Sequence, residues 1–296
     1  MCFITILRMI IIMSATRDGD FASFEEASNL EIPSLPIVAV KALQILGEEL
    51  SNADELAEVI SFDPAFTSHV FKMANSPYFC RGASVSSLDE AVLRLGFETV
   101  SEIVAVSALK DLRRKADVVD VGLWEHSTAV AVTSKLIANQ IGIGSPKKHL
   151  IHGLLHDFGK MVMNINFKDK YAMVIDEVRS SGQSFEDVEF SNFGFTHCGI
   201  GDYVAKNWHL PIEIRSVISL HHRTAAEIAK HKDISDILIV KAADHICSEL
   251  RIGIYDNIGP IEKDLQFIGL TNSSRVQSLK DKVEEEYQRY KSSIFG

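Results

Sequence analysis

Apolar residues in this chain recur at three- and four-residue steps, and no convincing run alternates in the two-residue step of a half-buried strand. Leu35, Val38, Ala42, Ile45, Leu46 and Leu50 mark one face of a helix, with Pro36 in the position a first helical turn tolerates. Asn52 stands as the cap of ADELAEVI, with Glu55 completing a capping-box pattern. Asp63-Pro64 ends that helix and opens the next, Ser76-Pro77 stops it, and Ser86 or Ser87 caps LDEAVLRL before Gly96. Val100, Ile103, Val104, Ser107, Ala108 and Leu112 form a further stripe. An all-α fold is the expectation.

A second lobe is expected from near Val118. HSTAVAVTSKLIANQ is apolar or small on nearly every face, which predicts a helix buried on several sides. LIHGLLHDFGKMVMNI, THCGIGDYVAKNWHLP, EIRSVISLHH and DISDILIVKAADHICSEL follow, with a polar stretch around Ser180 to Phe193. Arg275 to Tyr290 reads as a charged amphipathic helix. Gly142 and Gly144 in QIGIGSP follow no strand, so they predict an inter-helix turn rather than a dinucleotide loop. The basic run Lys110 to Lys115 suits a helix C-terminus.

The length of 296 residues allows two domains or one large one, and a formal net charge of −10 gives no general pull toward nucleic acid or anionic lipid. Four dispersed cysteines without a CxxC suit a reducing cytoplasm rather than a disulfide framework. Residues 1–13, MCFITILRMIIIM, are too short to span a bilayer and carry no basic region ahead of the apolar run. An over-long start, with Met9 or Met13 as the true first residue, is preferred over a docking tail, and both over a membrane anchor.

The residues that demand chemistry are His156 and Asp157, set inside the apolar GLLHDFGKMVM. A buried carboxylate is costly unless it is paired, hydrogen-bonded or metal-bound. Asp244 poses the same problem in ILIVKAADHIC. His126, His197, His221 and His222 open or sit on apolar-periodic helices, which gives five imidazoles and two carboxylates in all. Mixed nitrogen and oxygen donors suit Fe, Mn, Zn or Co and exclude a soft all-thiolate site. The donors exceed what one tetrahedral ion needs, so one or two divalent transition-metal ions are expected.

His126, the doublet His156-Asp157 and Asp244 resemble the H…HD…D pattern of HD-domain metal-dependent phosphohydrolases. His197 and His221-His222 resemble the fuller ligand set of the two-metal members. LPIVAVKALQIL, DPAFTSHVFKMANSPYF and VSSLDEAVLRLGFETV are similar to the first lobe of HDOD proteins, the HD-related output domains of bacterial signalling. LWEHS, HGLLHDFGK, THCGIGDYVAKNWHLP and ISLHH are similar to that family's second lobe. The resemblance runs from about Ile32 to Leu250. It implies two packed helical lobes, the second an HD-like bundle, and a role in signal transduction. Its metal set would be His126, His156, Asp157, His197, His221, His222 and Asp244, with Asp157 and Lys160 as the catalytic candidates. Lys160 resembles the HD-x-x-K lysine that can hold a phosphate.

The organisation expected is a tail at 1–30, a first lobe at 31–116, an HD-like lobe at 117–252 and a helical extension at 253–296. The remaining length holds no receiver, kinase or DNA-binding domain, so partners are expected in trans, with a nucleotide as a possible ligand. Two functions stand side by side: a regulatory output protein with a structural or sensing metal site, and a phosphohydrolase acting on a nucleotide or cyclic nucleotide. The segment after His222 reads RTAAEIAKHKD, helix-forming and without the GYP of cyclic-di-GMP phosphodiesterases, so that substrate is not expected. On helical spacing His221 and His222 lie about 100° apart, so both reach one site only if the helix end splays. His152, four residues before His156, is read as structural, His149 as solvent-facing, Cys198 as a small buried thiol, and Phe185 to Phe195 as core cover.

Overall fold

The computed structural model describes residues 30–33, 35–46, 53–76, 78–79, 84–111, 117–257 and 262–295, and all regular structure among them is helical. Segment 1–13, Asn52 and most of the basic run at 110–115 lie outside the described residues. Among the described residues five helices come first: α1 (Ile37–Leu46), α2 (Ala53–Ser61), α3 (Pro64–Ala74), α4 (Leu88–Leu95) and α5 (Phe97–Asp111). Their stripes close on one another, burying Val38, Ala42, Leu56, Ile60, Phe66, Val70, Val92 and Val104 in a single cluster. Ser87 is the cap of α4, its hydroxyl accepting from the Glu90 amide, and Gly96 ends that helix at φ 82°. Asn75 holds the connection beyond α3: its amide donates to Val85 O at 3.2 Å and its oxygen accepts from Val85 N at 2.8 Å.

The second lobe is built on α6 (Val118–Ile141). Asp117 and Asp120 form a reciprocal capping box at its start, and Gly142 closes it in the left-handed region. Then come α7 (Pro146–Leu155), α8 (Phe158–Asn166), α9 (Lys168–Ser181), α10 (Phe185–Phe193), α11 (His197–Asn207), α12 (Ile212–Leu220) and α13 (Ile234–Glu249). The segment between α12 and α13, expected to favour helix, is a run of turns, in which the Glu227 carboxylate accepts from the Thr224 amide and hydroxyl, both at 2.7 Å. These local bonds compete with the helical ladder.

A short helix, α14 (Glu262–Phe267), and a long one, α15 (Ser273–Phe295), come last among the described residues. The expected all-round burial of α6 holds, since it packs against α7, α13 and α15. Leu279, Val283 and Tyr287 of α15 share a cluster with Ile137, Ile239 and Cys247, so the C-terminal helix belongs to the core of this lobe.

The lobes meet along α1, α5 and the segment ahead of α1. Leu43 joins the cluster of Ile151, Leu155 and Ile214. Trp208 Nε1 donates to Pro33 O at 3.0 Å, and Asn166 exchanges hydrogen bonds with the backbone of Glu31 at 2.7 and 3.1 Å. No helix among the described residues is long and apolar enough to cross a membrane.

One close approach fixes the site described next. A Cβ on Gly159 would fall inside the His197 carbonyl, so α8 and α11 can meet there only through glycine. Gly159→Ala is therefore expected to destabilise the protein by about 3 kcal/mol. Chemical denaturation checks this, and a midpoint matching the parent would contradict it.

Candidate metal centre

The helix ends explain how a few side chains converge. α7 stops at Leu155 and α8 starts at Phe158, so His156 and Asp157 occupy the corner between them. α6 supplies His126 and α13 supplies Asp244, facing it across the bundle. His197 is the first residue of α11, whose cap is the Thr196 hydroxyl. α12 ends at Leu220, which leaves His221 and His222 beyond the regular turn. The two rings lie 4.0 Å apart by centroid. All seven residues singled out by sequence meet here. His126, His156, Asp157, His197, His221 and Asp244 are 0–3% exposed.

Asp157 is the hub. Its Oδ2 accepts from Lys160 Nζ at 2.7 Å and lies 3.3 Å from His156 Nε2 and 3.9 Å from His126 Nε2. Its Oδ1 lies 3.4 Å from His197 Nε2 and 3.5 Å from His221 Nε2. The two oxygens thus face different pairs of imidazoles. Asp244 Oδ1 sits 2.9 Å from His126 Nε2, and the Ser248 hydroxyl donates to it at 3.3 Å. His126, His156 and Asp157 offer donor atoms within 4.8 Å of one another, as do His156, His221 and Asp244. A further group of the same reach joins His197, Cys198, His221 and His222.

The far side of each ring fixes its tautomer. A carbonyl oxygen only accepts, so Nδ1 must carry the proton where it meets one. His126 Nδ1 donates to Ile252 O at 3.1 Å, and His156 Nδ1 to Gly153 O at 2.7 Å. His221 Nδ1 donates to Val217 O and Ile218 O, both at 3.1 Å. His197 Nδ1 meets Glu189 Oε2 at 2.6 Å. Four Nε2 atoms are therefore turned toward the two aspartates. Nε2 of His156, Nε2 of His221 and Oδ1 of Asp157 are buried without a hydrogen-bond partner. Orienting partners behind ring nitrogens whose lone pairs converge are what a cation site requires.

Charge follows the same layout. Burial opposes ionisation of Asp157, but the neighbouring His156 and Lys160 hold its carboxyl well below the usual range. Asp244 is held at about 2 against its burial, chiefly by the hydrogen bond with His126. Burial would lower His197, and the Glu189 carboxylate overrides it and raises the imidazole well above its ordinary value. Burial likewise works against His221, which Cys198 and Asp157 lift to about 10. Burial, then the neighbouring imidazoles, press His222 down. Lys160 is fully buried, with Nζ 4.2 Å from the centroid of the Phe185 ring as well as on Asp157.

The sequence reading missed Glu189 and Asp256. Glu189 is fully buried and accepts from the His197 amide at 2.8 Å and from Tyr171 Oη at 2.8 Å. Asp256 accepts from the Phe185 amide at 2.9 Å and lies 3.8 Å from His222 Nε2. His149 was expected in solvent; it is instead fully buried, because α7 turns its first residues inward onto α13. It meets Asp236 Oδ1 at 3.0 Å. His152 is buried beside it, and burial pushes its imidazole down to about 3. The spacing of His149 and His152 puts both on one stripe of α7, a signal the sequence does carry.

A profile of the HDOD domain matches residues 32–224. The chain belongs to the HDOD family. An HDOD domain protein of unknown function from Geobacter sulfurreducens is 27% identical, covers 92% of each chain and superposes with a TM-score of 0.69. A provisionally named signal transduction protein from Marinobacter aquaeolei shares the fold at 19% identity and TM-score 0.72, over 96% of this chain and 63% of that one. A provisionally named phosphohydrolase from Shewanella amazonensis does so at 21% identity and TM-score 0.66, over 90% and 95%. The matches to two curated relatives cover 38% and 34% of those proteins' length.

Glu189→Ala would strand the Tyr171 hydroxyl and the His197 ring in the HDOD core. A loss of about 3–5 kcal/mol is expected, against about 1 kcal/mol for Tyr171→Phe. Denaturant titration of both variants measures the difference, and equal losses would contradict it.

Proposed function

We propose that this HDOD protein is a signal-transduction output module whose second lobe holds one or two divalent transition-metal ions. The ligands would be His126, His156, Asp157, His197, His221, His222 and Asp244. The observation that carries this is the common tautomer: each of four rings spends Nδ1 on a protein acceptor and turns Nε2 toward Asp157 or Asp244. The alternative, a set of ordinary core histidines, leaves the buried Nε2 of His156 and of His221 without a hydrogen-bond partner. Each unpaired group costs about 1–3 kcal/mol. Mixed imidazole and carboxylate donors fit Fe, Mn, Zn or Co. Asp157, with one oxygen toward each pair of rings, would suit two neighbouring ions.

The regulatory role is preferred because the donors are closed off. Six of the seven residues are almost fully buried, and Lys160, the phosphate-holding candidate, has its ammonium on Asp157 and its face on Phe185. A cation there would tie α6, the α7–α8 corner, α11, the end of α12 and α13 into one rigid unit, a surface partner proteins could read in trans.

A second reading is favoured by the HD-x-x-K arrangement and by the name of the Shewanella relative: hydrolysis of a nucleotide or cyclic nucleotide. A bound metal would supply an activated water and a clamp for phosphoryl oxygen. In that reading Asp157 would hold the metal side of the site, Lys160 would have to release Asp157 to reach a phosphate, and Glu189 would keep the His197 ring fixed.

Protein purified without chelator is expected to carry iron, manganese, zinc or cobalt by elemental analysis, and chelator should lower its melting temperature by mass action. Negligible metal with no uptake on addition would overturn the proposal. The two readings part in an assay of metal-loaded protein against cyclic dinucleotides, nucleoside phosphates and bis-nitrophenyl phosphate, with Asp157→Ala as control. No turnover of cyclic-di-GMP is expected, since turns led by Arg223 and Thr224 stand where the GYP segment would be. Turnover of any substrate that vanishes in the control would make the hydrolase reading primary.

A further inference from the structure

α7 carries a second cluster that the centre above does not use. His149 and His152 lie on its inner face, and Asp236 faces them from the first turn of α13, with donor atoms all within 4.8 Å of one another. His149 and His152 are 0% and 1% exposed. His149 Nδ1 donates to Ser145 O at 2.8 Å, which turns Nε2 toward Asp236 Oδ1 at 3.0 Å. Lys148 occupies the other carboxylate oxygen, Oδ2, at 3.2 Å, so Oδ1 remains for the rings. The connection before α7 is shaped around this ring: a Cβ on Gly144 would stand 2.7 Å from His149 Cε1.

An ion pair between His149 and Asp236 would account for those two residues alone. It leaves His152 unexplained. Both nitrogens of that ring are buried without a partner. It lines a small cleft at the seam of the lobes together with Leu43 of α1, Lys148, Ile151, Pro211, Glu213 and Ile214. Leucine would fill that place without stranding two polar atoms. An imidazole is kept there at a cost, and two imidazoles with one carboxylate make a donor set that zinc-like ions take up, the remaining position going to water or another ligand.

We propose that His149, His152 and Asp236 form a separate site for one divalent transition-metal ion of the zinc class, at the seam between the two lobes. The ion would join α7 to the start of α13 beside the contact with α1. This site shares no residue with the centre at Asp157, so either can be lost without the other.

The test uses the full chain. His152→Leu keeps the core apolar and removes one donor; protein equilibrated with zinc and desalted should carry one equivalent fewer than the parent, whatever the Asp157 centre holds. His152→Cys, loaded with cobalt(II), should show a sulfur-to-cobalt charge-transfer band absent from the loaded parent, and adding Asp236→Ala should remove it. This second variant decides the matter if His152→Leu fails to fold. Unchanged zinc content in folded His152→Leu, or no new band in His152→Cys, would overturn the proposal.

Discussion

A carboxylate cannot be buried in a helical core without something to hold its charge, and Asp157 sets the terms for everything around it. Moving such an ion out of water costs several kcal/mol even after the surroundings relax. Here it is offset by the Lys160 ammonium and by four imidazoles drawn from α6, the α7–α8 corner, α11 and the end of α12. None of those donors is near Asp157 in sequence except His156 and Lys160. The bundle must therefore be assembled before the charge is satisfied, which couples the packing of this lobe to its electrostatics.

That coupling explains why helix ends, rather than helix faces, deliver most of the donors. A residue in mid-helix can point in only one direction, and several helices crowding one point would collide. The doublet His156-Asp157 sits where α7 gives way to α8, His197 opens α11, and His221 and His222 lie just past α12. Corners let neighbouring residues aim at one place. Gly159 then lets α11 approach closely enough for His197 to arrive.

Much of this was legible in the sequence because it was written in local patterns. The helical stripes, the Ser87 cap and the anomaly of charges within GLLHDFGK needed no tertiary information. Asp244 was legible for the same reason, being a carboxylate on an apolar stripe. Glu189 was hidden by its surroundings: among Phe185, Glu186, Asp187 and Phe190 a glutamate looks like one more charge on a half-exposed helix. Only the fold shows that it faces Tyr171 and His197. His149 misled because a residue near a helix start is usually wet, and nothing local reveals that α13 brings Asp236 across 87 residues to meet it. The turns after His222 were hidden too, since AAEIAKHK favours helix until Thr224 and Glu227 bond to each other.

The chemical character of the centre follows from its charge balance. At the centre the buried carboxylates Asp157, Asp244 and Glu189 face the Lys160 ammonium. Burial raises the pKa of the neighbouring Asp256. Against their burial, Glu189 raises His197, and Cys198 with Asp157 raises His221. Protons and metal ions compete for the same lone pairs, so a site that attracts protons this strongly at Nε2 is also one where a divalent cation would release them. Lys160 cannot supply the balance alone, since its one charge is already committed to Asp157 at 2.7 Å. The same ion pair that stabilises the buried aspartate therefore keeps the lysine from acting freely on a phosphate.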